Sequence, residues 1–478
     1  MIRVLGNEQR LCDGLTRRDA LQAGALTLLG GLSLPRLLAA NESAPAAKAK
    51  HVIVVYLLGG AATQDMFDLK PGAPDKIRGE FVPIATSAPG VQIGEHLPRL
   101  AKWMHRAAII RSMTHKAGCH NPLPGYTGSE QSLANIVTTA PSYPPSMGSV
   151  LEYLRQNGER AKRLLPDYVY LPCYLGWGQA IRRPGPYAGH LGSQYEALYT
   201  ECVPSLDPGK ACLPGQPQFV RGAPRLPEAK LGTGITLDRV LDRRSLLTQF
   251  DARRAAAEAS DSRATFDRHQ DRAFQLLTSS AVRSAFDLER EPAALRDRYG
   301  RTMFGSSALI ARRLVEAGVR MVNVTWDIFW DRHRIDYDGW DTHTRNFPIL
   351  KDWNLPQFDQ TLSALMGDLD ARGLLDETLI LVTSEMGRTP TINANGGRDH
   401  WTYCYSNFLA GAGIKGGSIC GASDAHAAYV KDRPVRPADV CATVYSCLGV
   451  SPDLMVPDRA GRPHGVSQGG EAVREVMA

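Results

Sequence analysis

"FDQTLSALMGDLDARGLLDETLILVTS", residues 358–384, holds the pattern that decides the fold of this chain. Apolar residues recur in its first half at spacings of three and four, which places them on one face of a predicted helix. They are Phe358, Leu362, Leu365, Met366 and Leu369. Gly373 then favours a helix end, and the apolar run at 378–383 predicts a buried strand.

The same order of helix and strand recurs upstream, in "LIARRLVEAGVRMVNVTW". There Gly318 ends the predicted helix, and a strand is expected at 320–326. Two further apolar runs predict strands at 52–58 and 107–111. Helices that alternate with buried strands predict an α/β fold, a doubly wound and mostly parallel sheet covered on both faces.

The expected organisation is a single α/β domain over residues 50–470, within a chain of 478 residues. Residues 240–300 interrupt the alternation, because their charged pattern predicts helices with no strand between them. We interpret this segment as a helical insertion or lid. Residues 203–236 are rich in proline and glycine and predict an irregular connection.

The N-terminal segment, residues 1–40, is typical of a twin-arginine signal peptide. Arg17 and Arg18 precede a weakly apolar stretch that ends in small residues. The alternative is an amphipathic N-terminal helix. Export predicts a periplasmic or cell-envelope protein, with a membrane contact only if the signal is retained as an anchor. The formal net charge of +6 is too small to indicate a nucleic-acid partner.

The nine cysteines contain no C-x-x-C pair, which argues against a tetrahedral zinc–thiolate site. Cys202 and Cys212 lie close in sequence and have two alternatives. They form a disulfide after export, or they remain buried thiols.

Polar residues follow each of the four predicted strands. Because ligands bind beyond the carboxyl ends of the strands in open parallel sheets, these residues are expected to share one site. The polar stretches are "GGAATQDMFD", "SMTHKAGCHN", "YDGWDTH" and "SEMGRTPTINANGGRDHW".

Five of these residues are candidate metal ligands. They are Asp341, His343, Glu385, Asp399 and His400. Such a mixture of carboxylates and imidazoles suits a divalent metal such as Zn²⁺, Mn²⁺ or Mg²⁺, with Ca²⁺ if oxygen dominates. Gly396 and Gly397 are expected to turn the chain back toward the site. The alternative is a network of salt bridges, for example Glu385 with Arg388 and Arg398 with Asp399.

Other residues of the same stretches are candidates for binding and catalysis. Arg388 and Arg398 have the side chain that binds phosphate or sulfate with two parallel hydrogen bonds. His115 and His120 follow the second strand, and for each the alternative is an ordinary loop histidine. His426 is expected to be structural or on the surface.

Several motifs of this chain resemble the DUF1501 family of exported bacterial proteins. They include "GWDTHTRNF", "GGRDHW" and "RPADVCATVYSCLGV". The resemblance covers about residues 50–465. Within the family, the chain resembles the sulfatase-like branch that is typical of planctomycetes. It implies the alkaline phosphatase and sulfatase superfamily fold, with metals at the strand ends.

The same resemblance places the stretch "CHNPLPGYTG" near the nucleophile of sulfatases, so that either Cys119 or His120 falls at that position. The chain departs from the superfamily pattern in two ways. Cys119 lacks the following x-Pro-x-Arg, and Ala61 and Ala62 stand where relatives have a serine or aspartate. Asp65 or Asp68 is the candidate substitute for that missing carboxylate.

Together these features predict an exported metal-dependent hydrolase of sulfate or phosphate esters, with an anionic ester or a sulfated polysaccharide as substrate. His120 is the expected acid, base or nucleophile, and Arg388 is expected to stabilise charge on the sulfuryl or phosphoryl oxygens. The alternative is a non-catalytic envelope binding protein that keeps the fold, with or without the metal.

Overall fold

The computed structural model describes residues 45–133, 135–137, 139–158, 165–206, 219–226, 280–329 and 339–478. The predicted signal peptide at 1–40 lies outside the described residues, and so does most of the predicted insertion at 240–300. No helix among the described residues is long and apolar enough to cross a membrane.

The strands, in chain order, are β1 (His51–Leu57), β2 (Pro83–Ala85), β3 (Gln92–Gly94), β4 (Ala107–Met113), β5 (Tyr168–Leu171), β6 (Leu198–Tyr199), β7 (Glu201–Cys202), β8 (Pro224–Arg225), β9 (Met321–Trp326), β10 (Thr378–Thr383), β11 (Gly387–Arg388), β12 (His400–Trp401), β13 (Tyr405–Gly411), β14 (Ser418–Cys420), β15 (Ala422–Ser423), β16 (Val430–Asp432), β17 (Met455–Pro457) and β18 (Pro463–Gly465).

The helices are α1 (Asp75–Arg78), α2 (Leu123–Thr127), α3 (Met147–Asn157), α4 (Ser280–Phe286), α5 (Ala293–Tyr299), α6 (Met303–Glu316), α7 (Asn346–Ile349), α8 (Leu355–Ala371) and α9 (Pro437–Cys447). A π-helical turn at Leu350–Asn354 joins α7 to α8, and 3₁₀ turns such as Leu100–Arg106 connect other elements.

Eight strands form the main sheet in the order β14-β4-β13-β10-β1-β9-β5-β6. β1 pairs in parallel with both β9 and β10, and β9 pairs in parallel with β5. Among the described strands of this sheet, β13 alone runs the other way, between β10 and β4. The predicted α/β fold with a mostly parallel sheet is confirmed.

Both faces of the sheet are covered by helices. Side chains alternate along β1, so Ile53 and Val55 pack in the cluster that contains α6 and α8 residues. Val52 and Val54 pack on the opposite face, in the cluster that contains α9 residues. Burial of each such side chain stabilises the fold by about 1.5–3 kcal/mol. The sheet is therefore doubly wound, as predicted.

The ends of α6 and α8 follow their local sequence. α6 begins after Thr302, whose side chain accepts a hydrogen bond from Gly305 N at 3.1 Å and so caps a free amide. α8 ends before Gly373, which has a φ of 68°. A side chain is strained at that angle and glycine is not, so the predicted helix end is confirmed.

The four predicted strands are confirmed as β1, β9, β10 and β4, with ends that agree with the expected ranges to within two residues. Because these strands are parallel to one another within one sheet, their carboxyl ends lie at one edge. The loops that follow them carry the candidate site. The described part of the predicted insertion, at 280–300, is helical and packs on α6 and α8.

Candidate metal centre

Three of the predicted metal ligands bring their side-chain donor atoms together at this sheet edge. His343 Nε2 lies 3.1 Å from Asp341 Oδ1, and His400 Nε2 lies 3.2 Å from the same oxygen. The two histidine nitrogens are 2.8 Å apart. His120 adds a fourth group, with Nε2 at 3.3 Å from Asp341 Oδ2. These side chains form the candidate centre of the protein.

Two loops are joined by backbone hydrogen bonds that place these residues side by side. Arg398 N donates to Thr342 O at 3.0 Å, and Asn346 N donates to Gly396 O at 2.9 Å. Gly396 has a φ of 65°, which lets the chain turn. At Gly397 a Cβ atom would lie 1.9 Å from His343 O, so only glycine permits this approach. The predicted role of the two glycines agrees with this geometry.

Two histidines of the centre each contact a carboxylate through Nδ1, the ring nitrogen that faces away from Asp341. His343 Nδ1 lies 2.7 Å from Asp399 Oδ1, and His120 Nδ1 lies 3.3 Å from Glu385 Oε1. Such contacts fix the orientation of a histidine and the nitrogen that carries its proton, as they do for metal-binding histidines. Asp399 and Glu385 therefore lie behind the centre and do not belong to its innermost set.

Glu385 is fully buried directly after β10 and is held by several donors. Gly59 N donates to Oε1 at 2.8 Å, and Ser384 Oγ donates to Oε2 at 3.1 Å. His115 Nε2 contacts the Glu385 carbonyl oxygen at 2.8 Å. Gly59 and Ser384 were not predicted as supporting residues, although the pair of glycines after β1 was a visible signal.

Asn393 is a third supporting residue that was not predicted. Its Nδ2 donates to His343 O at 2.9 Å and to Asp399 Oδ1 at 3.2 Å. It therefore links the two loops behind the histidine. No local pattern singles out one asparagine of a loop, since its partners come from another part of the chain.

The charges of the centre shift its pKa values in opposite directions. Burial alone would lower the pKa of His120, but its hydrogen bonds with Asp341 and Glu385 raise that pKa to about 9. Burial disfavours the ionised form of Asp341, yet the hydrogen bonds with His120 and His400 hold its pKa well below its usual range. Burial lowers the pKa of His400, which favours the neutral imidazole that metals bind.

The geometry of the three inner donor atoms fits a small divalent ion. Their separations place them about 1.8 Å from a common point, slightly less than the ~2.0–2.2 Å of zinc bonds to nitrogen and oxygen. An ion just outside their plane would therefore reach all three. Two imidazoles and one carboxylate suit Zn²⁺ better than Mg²⁺ or Ca²⁺, which prefer oxygen ligands.

Both arginines of the predicted anion site are fully buried and bound within the protein. Arg398 donates to both oxygens of Asp65 at 2.8 Å, and its remaining nitrogen contacts carbonyl oxygens. Arg388 donates to Gly60 O and to Asp341 Oδ1. The expectation that Arg398 binds a phosphate or sulfate is therefore wrong, and the structure does not support a contact between Arg388 and a substrate oxygen.

The alternative salt-bridge pairs are not formed either. Arg388 pairs with Asp341 and not with Glu385, and Arg398 pairs with Asp65 and not with Asp399. Asp65 is thereby occupied, so it is no substitute for the missing carboxylate after β1. Asp68 likewise contacts Lys70 at 3.0 Å, away from the centre.

Cys119 lies beside His120 but lacks the environment of a reactive thiol. Desolvation raises the pKa of Cys119, and the nearby Arg388 only partly offsets it. A nucleophilic cysteine needs a lowered pKa, because the thiolate is the reactive form. Of the two candidates at this position, His120 is the one whose ring reaches the centre.

An exposed cluster of three aromatic rings lies next to the centre along the chain. Trp401 follows His400 in β12, and its ring centroid lies 5.0 Å from that of Tyr403 and 5.6 Å from that of Tyr429. Tyr403 is 44% exposed and Tyr429 is 54% exposed. Trp401 Nε1 donates to Ala428 O at 2.6 Å, which fixes the innermost ring. We call these three residues the aromatic cluster.

A family model described as "Protein of unknown function (DUF1501)" matches residues 49–477. Among curated proteins, none matches this sequence.

Several solved structures are similar at low identity. The lipoteichoic acid synthase LtaP from Listeria monocytogenes is 11% identical, with a TM-score of 0.33, over 86% of this chain and 74% of that chain. A sulfatase from Pseudoalteromonas sp. is 13% identical, with a TM-score of 0.34, over 90% and 72%. A phosphonate monoester hydrolase from Silicibacter pomeroyi is 12% identical, with a TM-score of 0.30, over 88% and 75%. Similarity at these identities and TM-scores does not indicate the activity of this chain.

Proposed function

The chain belongs to the DUF1501 family, and from the geometry of its candidate centre we propose that it is an exported metal-dependent hydrolase of sulfate or phosphate esters. The observation that carries the proposal is the trio of donor atoms from Asp341, His343 and His400, all within 3.2 Å of one another. Protonated imidazoles would repel one another at this distance, whereas neutral imidazoles around a cation would not.

Asp341, His343 and His400 would hold the metal, and a zinc-like ion fits their donor set best. A bound divalent ion polarises an ester oxygen and lowers the pKa of bound water toward neutrality. Asp399 orients His343, and Arg388 positions Asp341 through their ion pair. The arginine role thus differs from the one expected from the sequence.

His120 is the proposed acid–base residue of the reaction. Its Nδ1 is held by Glu385, and its Nε2 faces Asp341 at 3.3 Å, so its ring is oriented toward the centre. An imidazole in this position can deliver a proton to the leaving oxygen of an ester. Glu385 is buried and fixed by Gly59, so it acts as a rigid support for His120.

The aromatic cluster supports an ester of a saccharide as the substrate. The C–H faces of a sugar ring pack on aromatic side chains, and exposed aromatic patches mark binding sites more often than bare surface. His400 and Trp401 are consecutive in β12, so their rings lie on opposite faces of the strand, and a ligand at the centre would reach the cluster only by passing around the edge of that strand. We therefore propose a sulfated or phosphorylated saccharide as the substrate class.

A non-catalytic binding protein is the second candidate function. It is favoured by the buried Arg388, whose guanidinium contacts the same Asp341 oxygen that a metal would use. It is also favoured by Cys119, because a raised pKa leaves no activated thiol. In this alternative, the fold is kept without turnover, whether or not Asp341, His343 and His400 hold a metal.

Elemental analysis and turnover together test the proposal. We expect the purified protein to contain a divalent transition metal and to hydrolyse at least one member of a sulfate and phosphate ester panel. His343→Ala combined with His400→Ala should lose both, whereas the surface control His426→Ala should keep both. A wild-type protein without metal, which Zn²⁺ also fails to stabilise against heat, would contradict the metal centre. Metal without turnover would favour the binding protein.

Export is tested separately. The proposal for residues 1–40 rests on Arg17 and Arg18 before a weakly apolar stretch. Replacing both by lysine should block delivery to the cell envelope, as measured by fractionation. Unchanged delivery would show that another route, or no export, applies.

A further inference from the structure

Cys173 and Cys202 lie together in a part of the protein remote from the candidate centre in sequence. Their Sγ atoms are 3.2 Å apart. Cys173 is 2% exposed and Cys202 is 7% exposed. Covalently bonded sulfurs lie about 2.05 Å apart, so a small rotation of the two side chains would bring them to bonding distance.

The backbone around the pair is held in place independently of the sulfurs. Cys173 follows β5, and Cys202 belongs to β7, just after β6, which pairs with β5 in parallel. Between them, Thr200 Oγ1 donates to Pro172 O at 2.5 Å and to Tyr170 O at 3.2 Å. The two chain segments are therefore fixed side by side where the cysteines meet.

The surroundings of the pair are apolar. Both cysteines belong to a small cluster with Val220, Met303 and Phe329. Apolar surroundings favour a neutral disulfide over a charged thiolate. We propose that Cys173 and Cys202 form a structural disulfide when the protein folds in an oxidising compartment.

The reaction is a thiol–disulfide exchange with an external disulfide, such as oxidised glutathione or a disulfide oxidoreductase. The thiolate of one cysteine attacks the external disulfide, forms a mixed disulfide and releases one thiol of the reagent. The second cysteine then attacks the bound sulfur of the first, which forms the Cys173–Cys202 bond and releases the second thiol. The protein loses two electrons and two protons, and the external disulfide is reduced to two thiols.

The burial of the two cysteines determines the stage of folding at which the disulfide can form. Because both cysteines are buried in the folded protein, we expect the oxidant to reach them during folding. This pairing differs from the one considered from the sequence, Cys202 with Cys212. Cys212 lies outside the described residues, and the experiment must distinguish the two pairings.

The test is to fold the full chain in a buffer of oxidised and reduced glutathione, denature it in N-ethylmaleimide and map its peptides by mass spectrometry. We expect one linked peptide pair that contains Cys173 and Cys202, and two alkylated peptides when folding occurs under reductant alone. Alkylation of both cysteines after oxidative folding would overturn the proposal, and so would a link between Cys202 and Cys212. The wild-type map needs no variant, so it decides even if a substituted protein fails to fold.

A second measurement uses matched variants. Reduction should lower the thermal midpoint of the wild type and of Cys420→Ala, whose cysteine is also buried but lies in β14. It should leave the midpoint of Cys173→Ala unchanged, since that variant has no bond to lose. An equal shift in all three proteins would contradict a stabilising bond at this position.

Discussion

His343 Nδ1 lies 2.7 Å from Asp399 Oδ1, while Nε2 of the same ring faces Asp341. One nitrogen thus contacts a carboxylate that is 54% exposed, and the other contacts the centre. The hydrogen bond from His343 lowers the pKa of Asp399, so the carboxylate is ionised and accepts the Nδ1 proton. In a neutral imidazole whose proton is on Nδ1, the nitrogen that faces the centre, Nε2, is the one that can bind a metal.

Asp399→Asn should therefore weaken metal binding without unfolding the protein. The expected loss of affinity is about 10- to 100-fold, as is common when the partner of a metal-binding histidine is removed. Competition with a chelator at fixed pH measures it. Asp376→Asn is the matched control, because Asp376 is also exposed and ion-paired but belongs to another part of the surface. Equal affinity in all three proteins would show that Asp399 does not orient a ligand.

The aromatic cluster makes a prediction about substrate size. Tyr429→Ala and Tyr403→Ala should each raise the KM for saccharide esters, because each removes an exposed ring on which a sugar of the proposed substrate would pack. The loss of about 0.5–1.5 kcal/mol per aromatic contact corresponds to roughly two- to tenfold in KM.

The same variants should not change the KM for a small aryl ester, which ends before the cluster. Met455→Ala, at an exposed apolar residue of β17, is the control for loss of surface area. A similar rise in KM for both kinds of ester would assign the tyrosines to the stability of the centre. No rise for either would remove the saccharide from the proposal, and the hydrolase proposal would stand.

The sheet was predictable because its central strands carry their own signals. β1, β9 and β10 are mostly apolar and are buried along their whole length, which is typical of strands covered on both faces. The helices that precede β9 and β10 add a second, independent signal, because their apolar residues recur at helical spacing. β13 was not predicted, although it is buried between β10 and β4. Its antiparallel direction follows from pairing with distant strands, which a local pattern does not encode.

The candidate centre was predictable only in part, for a related physical reason. Strand ends at one edge bring Asp341, His343 and His400 together, and the sequence shows those strand ends directly. The partners of the arginines depend on contacts across the whole chain. Arg398 pairs with Asp65, which is 333 residues away along the chain, and the adjacent Asp399 gave no hint of this partner. The sequence therefore predicted an anion site where the structure has a buried ion pair.

The ion pair of Arg398 with Asp65 makes a prediction about stability. Arg398→Met should lower the free energy of unfolding by about 3–5 kcal/mol, because it leaves the buried Asp65 carboxylate without its charge partner. Denaturant unfolding measures the change. Arg433→Met breaks the exposed pair with Glu475 and should cost about 1 kcal/mol or less.

Combining Arg398→Met with Asp65→Asn should recover part of the loss, since the uncompensated charge is then gone. No recovery in the double variant would mean that the loss comes from the carbonyl contacts of Arg398 and not from Asp65. A loss no larger than that of Arg433→Met would show that the pair is not buried as the structure describes.

Asp327 makes a prediction about the pH dependence of stability, away from the candidate centre. It follows β9 and is 2% exposed, and its carboxylate accepts hydrogen bonds from Ile328 N at 2.9 Å and Gly178 N at 3.3 Å. Burial nevertheless raises the pKa of Asp327 to about 6. In the unfolded chain its pKa is about 3.9. Between these two values the folded protein binds more protons than the unfolded chain does.

The stability contributed by this group must therefore fall as pH rises through that window. Below about pH 4 the carboxyl is protonated in both the folded and the unfolded chain, so burial carries no charge penalty. Above about pH 6 the folded protein must hold a buried ionised carboxylate, which lowers its stability relative to the unfolded chain. A difference of about two pKa units corresponds to about 3 kcal/mol. Asp327→Asn removes the titrating group at nearly constant size, so its free energy of unfolding should lack this fall.

The measurement is the free energy of unfolding from denaturant titrations at several pH values from 4 to about 7. Other carboxylates titrate over the same range in both proteins, so the quantity to follow is the difference between wild type and Asp327→Asn. We expect the wild type to lose about 3 kcal/mol relative to the variant as pH rises. Asp376→Asn, at a carboxylate whose side chain is 76% exposed, should show no such difference. Parallel curves for the wild type and Asp327→Asn would show that Asp327 is ionised across the whole range.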